Sequence, residues 1–144
     1  MKHLKTYEGV KSKMNFNIEL RNKMNKFSPG MFIIYTITKY NFSASKYVKM
    51  LVLGRIQRTE IEHNKNKFDD EILDTYVHIV LCDFISDIET ETIQATDKVP
   101  IDYLINNKLY ITSSIEDIKT KFEELKPQHI EQWSIDQSAN KYNL

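Results

Sequence analysis

Residues 75 to 85 constrain the fold more than any other stretch, because Tyr76, Val77, Ile79, Val80, Leu81, Cys82, Phe84 and Ile85 crowd into one strand-length run. A β-strand sends alternate side chains to opposite faces, so this run is apolar on both. A sheet wetted on one side would alternate, and the run therefore needs a packing layer on each face. A chain of 144 residues can supply one such core, burying roughly 70% of its unfolded surface. It needs neither metal nor disulfide to do so. The single cysteine, Cys82, has no internal partner and fits a reducing compartment. The longest apolar run, Met31 to Ile37, is far short of the roughly 20 residues that cross a bilayer. No apolar stretch follows the basic N-terminus before Phe27, so neither a membrane span nor a secretory signal is expected. The expected location is cytoplasmic, in the host cytoplasm or the virion if viral. The richness in Ile, Lys and Asn (18, 17 and 11 residues) against 3 Gly and 3 Pro reflects AT-rich codons, as in a low-GC bacterium or one of its phages.

The other elements follow from periodicity. Phe16, Leu20, Met24 and Phe27 recur at helical spacing, predicting a helix near residues 17 to 26 that Ser28-Pro29-Gly30 ends. Residues 31 to 38 form the first strand. Residues 47 to 58 form the second, with Val48, Met50, Val52 and Ile56 on one face and Gly54 marking a bulge. Residues 59 to 74 carry charge without pattern and are expected as an exposed loop. After the apolar third strand, Ser86-Asp87 turns the chain into a fourth, wetter strand near Glu89 to Thr96. Pro100 then opens a short helical turn, and residues 109 to 112 make a fifth strand. Ser113 and Glu116 suit a capping box for a helix from Ser114 to Leu125, with Ile115, Ile118, Phe122 and Leu125 on one stripe and Pro127 as its stop. The division expected is an N-terminal helical segment (1–30), a small β-barrel with closing helix (31–126) and a C-terminal tail (127–144).

This order gives a mainly β chain with flanking helices, of the α+β class. Val99-Pro100-Ile101-Asp102-Tyr103-Leu104 is similar to the Pro-x-Asn-Tyr segment before the last strand of SH3 domains. With five strands and a helical turn between the fourth and fifth, the chain resembles a five-stranded SH3-like small barrel over residues 31 to 112, with an N-terminal helix and a C-terminal amphipathic helix. The resemblance concerns fold and does not imply a proline-rich ligand. The tandem tryptophans of peptide-binding SH3 domains are absent, and the one tryptophan, Trp133, lies in the expected tail. An OB-type barrel is the alternative, although its helix usually falls between strands three and four.

Net charge is zero but divided. Residues 1 to 58 hold 12 Lys or Arg against 2 Glu, and residues 59 to 144 hold 8 Lys against 18 Asp or Glu. Either the halves meet across one fold, or two faces serve different partners. Within the basic half, Tyr35 and the set Lys39, Tyr40, Phe42, Lys46, Tyr47, Lys49, Arg55 and Arg58 interleave rings with cations. Bases can stack on such rings while cations follow phosphates. The same residues also suit a strand whose aromatics pack and whose lysines face water.

Catalytic chemistry has little support. His78, Cys82 and Asp83 are neighbours in sequence, but on one strand His78 and Cys82 stand roughly 13 Å apart and Asp83 faces the other way. The histidines at 3, 63, 78 and 129 show no metal-ligand spacing. Cys82 reads as a core residue, not a nucleophile. Gly-rich phosphate loops, GxSxG, HExxH and CxxC are absent from the sequence. The expectation is a non-catalytic protein-interaction or structural accessory module without cofactor. Its partner is another protein or a second copy meeting the outer apolar residues Leu51, Leu53, Val77, Ile79 and Leu81. The alternative is a single-stranded nucleic-acid-binding accessory protein.

Overall fold

A computed structural model describes residues 18–88 and 94–142. A helix over 18–25 (α1) precedes a meander of four strands, β1 (Phe32–Asn41), β2 (Lys46–Lys65), β3 (Glu71–Ser86) and β4 (Thr96–Pro100). The chain continues through α2 (Ile101–Asn107), β5 (Lys108–Thr112) and a long α3 (Ile115–Tyr142). All neighbouring strands pair antiparallel, in the order β4-β3-β2-β1-β5. The fold is thus α+β, built on one open sheet whose edges are β4 and β5. Closure into a barrel is not among its pairings. The expected fourth strand lies largely in residues outside those described, and β4 follows it. No helix among the described residues is long and apolar enough to cross a membrane.

Two-sided burial is real, but it falls most completely on β2. Met50, Leu51, Val52 and Leu53 are four consecutive buried residues. Met50 and Val52 join Ile33, Tyr35, Val48, Ile56, Val77 and Ile79 beneath α1 and α2, where Phe27, Ile101 and Leu104 complete one core. Leu51 and Leu53 join Ile34 on the other face, beneath Ile118, Phe122 and Trp133 of α3. Among the residues expected to be left bare on the outer sheet, Leu51, Leu53, Val77 and Ile79 are therefore buried, which removes that motive for self-association.

Two bulges shape the central β2–β3 pair, and a third irregularity leaves Leu109 unmatched between β1 and β5. Leu53 pairs with Asp83 and Gly54 with Leu81, so Cys82 is an unmatched residue on β3; Ile56 pairs with Ile79 and Arg58 with His78, so Gln57 is unmatched on β2. The Gly54 bulge expected from sequence is present, and its extra residue explains why Cys82 is exposed rather than in the core. The sheet also curls. β1 and β4 lie three strand spacings apart, about 14 Å in a flat sheet, yet Tyr35 Oη donates to Asp97 Oδ2 at 3.1 Å. Lys39 Nζ lies 3.2 Å from Asp97 Oδ1. Asp97 thus joins the first strand to the fourth across the concave face.

Two expectations are corrected here. Residues 59 to 74 are not a long loop, because β2 and β3 continue as an extended hairpin. Asn66 builds its turn, accepting through Oδ1 from the amides of Phe68 and Asp70 at 2.8 and 3.0 Å, with Asp69 at φ 66°. The helix also does not stop at Pro127. It is capped by Ser114, whose Oγ accepts from the Asp117 amide at 3.2 Å, one residue after the expected cap. An interior proline costs about 3 kcal/mol through its missing N–H and ring clash. Burial of Trp133 in the core on the α3 side of the sheet offsets that cost.

A methyl group on Gly54 would overlap Ile79 Cγ2 and sit 3.2 Å from the Val80 carbonyl oxygen. Gly54→Ala should cost ~2 kcal/mol by overpacking, and Ile79→Ala ~3 kcal/mol by cavity formation. In urea melts the double variant should lose less than their sum, because the second change removes the overlapping atom. Strict additivity would show that the two residues do not collide. Trp133→Ala should cost ~3 kcal/mol, and a parental melt would mean that the end of α3 is undocked.

Candidate interaction site

The β1–β2 hairpin ends in a tight turn over residues 41 to 46. Asn41 Oδ1 accepts from the Ala44 amide at 2.9 Å, and Ser45 adopts φ 52°. Below the turn, Tyr40 and Tyr47 are register partners. Directly opposed side chains on an antiparallel pair interact, and these rings meet edge to face at 5.2 Å. Phe42, in the turn, meets Tyr40 at 5.0 Å in the same manner. The three rings are held by one another and open to water: Phe42 is 85% exposed, Tyr47 69% and Tyr40 44%.

The lysines around this tip differ in their commitments. Lys39 shares its register position with buried Val48 and reaches Asp97 on the concave face. Lys49 points to the α3 side, where its Nζ lies 2.9 Å from Asp136 Oδ2. Gln132 Nε2 donates to the other oxygen of that carboxylate at 3.0 Å. These two donors, Lys49 first, hold the Asp136 carboxyl below its ordinary range. Lys46 has no ion-pair partner among the described residues.

Of the residues singled out in sequence, Lys39, Tyr40, Phe42, Lys46, Tyr47 and Lys49 therefore gather at one tip. Arg55 and Arg58 do not join them. Arg55 pairs with Phe32 and Val80, eight residues along β2 from Tyr47 and about 26 Å away at 3.3 Å per residue. Arg58 lies farther along, opposite His78. Tyr35 is buried in the core, and burial together with the charge of Asp97 pushes its phenol well above the ordinary range.

Sequence reasoning missed the contribution of α3. A recess of about 270 Å³ opens beside the tip between Tyr47, Lys46 and Lys49 on the hairpin and Trp133, Asp136 and Gln137 on the helix. The available signal was register, since Trp133 continues the 118, 122, 125 stripe beyond Pro127.

Two other places hold grouped side chains. On the extended hairpin, His78 Nε2 lies 2.5 Å from Glu60 Oε2, Lys98 pairs with Glu62, and the Lys98 ammonium sits 4.4 Å over the Tyr76 ring. The hydrogen bond from His78 leads the causes holding Glu60 below its ordinary range, and that to Glu62 raises Lys98. These groups satisfy one another across three strands. A cleft of about 400 Å³ lies between Phe32, Leu53, Ile118 and Phe122, with Cys82 at its rim. Partial desolvation there, although the residue is exposed, pushes the Cys82 thiol up and outweighs the opposing charge of Arg55, so it is poorly suited to act as a thiolate nucleophile. Lys126 bridges this rim, 2.7 Å from Glu123 and 3.8 Å from Asp83. No family model, curated protein or solved structure matches the chain.

The Asp136 pairing has a definite pH signature. Its folded pKa lies below the ordinary 3.8, so its contribution to stability is present above that value and is lost as pH falls through the depressed one. An NMR titration of the side-chain carboxyl carbon should show the low midpoint, and Lys49→Met should move it upward. An unmoved midpoint would rule out Lys49 as the main cause.

Proposed function

We propose that this chain is a non-catalytic binding module that recognises another protein through the tip of its β1–β2 hairpin. The observation that carries this reading is the cluster of three exposed, mutually packed aromatic rings, Tyr40, Phe42 and Tyr47. Rings fixed in place lose little conformational freedom on binding, and aromatic side chains dominate the energetics of many interfaces. The charges favour a protein over a nucleic acid. Each phosphate neutralised needs a cation, and two of the three lysines at the tip already face carboxylates.

The strand order and the position of α2 between β4 and β5 support kinship of architecture with SH3-like small barrels. That kinship concerns scaffold alone. An accessory role inside a cell or phage particle accords with the lone cysteine and the codon bias.

The test is co-purification from the native source with the parent and with Phe42→Ala/Tyr47→Ala. A protein should be retained by the parent and lost from the variant, at a cost of ~2 kcal/mol or more in binding, with melting unchanged. Capture of nucleic acid that nuclease releases, or equal retention by both forms, would overturn the proposal.

A further inference from the structure

We infer that the open edge of β1 beside the hairpin tip takes an extended segment of the partner protein as an added antiparallel strand, which pairs with the backbone of Thr38 and Tyr40. This rests on the proposed role of the tip and adds the form of what it binds.

The backbone geometry assigns the edge. In an antiparallel ladder each residue turns its N–H and C=O together toward one neighbouring strand or the other. Lys49 turns both away from β1, since its amide donates to Asp87 Oδ1 at 3.3 Å and its carbonyl accepts from the Asp87 amide at 3.1 Å. Its register partner Thr38 therefore also points its groups out of the β1–β2 ladder, and Thr36 and Tyr40, two residues away on either side, do the same. The Thr36 carbonyl is met by Tyr103 Oη at 2.7 Å. β5 pairs with β1 only from Phe32 to Tyr35, and among the described residues no backbone hydrogen bond outside the ladders reaches Thr38 or Tyr40. Both residues are exposed. Two donors and two acceptors thus stand in line where β5 has stopped, the residues about 7 Å apart.

The other edges are guarded. β4 ends in Pro100, which has no amide to offer, and β5 carries the irregularity at Leu109, a device that blunts an edge. An extended backbone is the ligand that matches groups at this spacing. An antiparallel one continues the direction that β5 already takes against β1. Its residue opposite Tyr40 projects to the same face as the Tyr40 ring, which packs against Phe42, and this favours an aromatic or β-branched side chain there. Selection comes from backbone pairing and apolar contact and needs no net charge at the tip.

The probe is a capped heptapeptide of alternating Thr and Val about a central Phe, prepared in two forms. One is N-methylated on its threonines and the other on Val, Phe and Val. In an antiparallel pair with the apolar residues on the Tyr40 face, those apolar residues direct their amides at β1, so only the first form keeps the donors that the pairing uses. It should bind the intact chain at least tenfold more tightly by calorimetry. It should also slow hydrogen exchange at the Thr38 and Tyr40 amides, which exchange freely in the unbound chain. Thr38→Pro removes one outward donor and leaves the β1–β2 ladder intact, as proline does on an edge strand, so its melt should match the parent and its binding should fall tenfold or more. The peptide pair tests the same bonds without altering the chain. Binding of neither form, protection of the two amides in the unbound chain, or full binding by folded Thr38→Pro would each overturn the inference. Protection that grows with chain concentration alone would give the edge to a second copy and overturn it as well. Equal binding of both forms that is lost in Phe42→Ala/Tyr47→Ala would overturn strand addition while leaving the tip as an interaction site.

Discussion

Burial of β2 on both faces is the condition on which the rest of the molecule depends. Met50 to Leu53 place two side chains on each side of the sheet, all at or below 5% exposure. No single helix can cover both. The chain answers with α1 and α2 on one face and α3 on the other, and these layers reach only as far along the sheet as the apolar pattern does. Beyond Val48 the β1–β2 hairpin overhangs with Tyr40, Phe42 and Tyr47. Beyond Ile56 the β2–β3 hairpin overhangs in the other direction with its cross-strand ion pairs. The two ends thus differ in chemistry because the same covered centre leaves them both to solvent.

The division of charge along the sequence is met in part within the fold. Lys23 meets Asp102, Lys39 meets Asp97 and Lys49 meets Asp136, each a lysine from the basic half against an acid from the other. Exposed pairs of this kind add little stability individually, and the apolar layers carry the fold. Their effect is on what the surface can recognise. At the aromatic hairpin tip, Lys39 and Lys49 already face the carboxylates of Asp97 and Asp136.

Much of the architecture was legible in local sequence. β1 followed from its run of strand-forming residues after Pro29-Gly30, the bulge from Gly54, and the beginning of α3 from a serine cap and apolar stripe. The six gathered residues of the tip were also legible, because a hairpin brings sequence neighbours together. The failures were of longer range. Pro127 is a strong local stop, and it takes the tertiary burial of Trp133 in the core on the α3 side to explain why the helix continues. The extended hairpin hid because its pairs are polar: Glu60 with His78 and Asn64 with Asp74 carry no apolar periodicity. Cys82 was misplaced because it lies within an apolar strand, where a one-residue bulge leaves it unmatched and exposed.

The bulges also connect the core to the form of the sheet. An unmatched residue increases local twist and bends its strand, and here one lies on each strand of the central pair, at Gln57 and Cys82. A sheet bent at these points folds β4 toward β1, so that Asp97 reaches both Tyr35 and Lys39. The Tyr35 phenol, deep in the concave core, then donates to a carboxylate in place of water, as a buried hydroxyl must. The same bend leaves β4 and β5 as separate edges, because Asp97 bridges the concave face through side chains and not through a backbone ladder. Lys39 lies on that concave face opposite Val48, and strand alternation therefore puts its neighbours Tyr40 and Tyr47 on the α3 side.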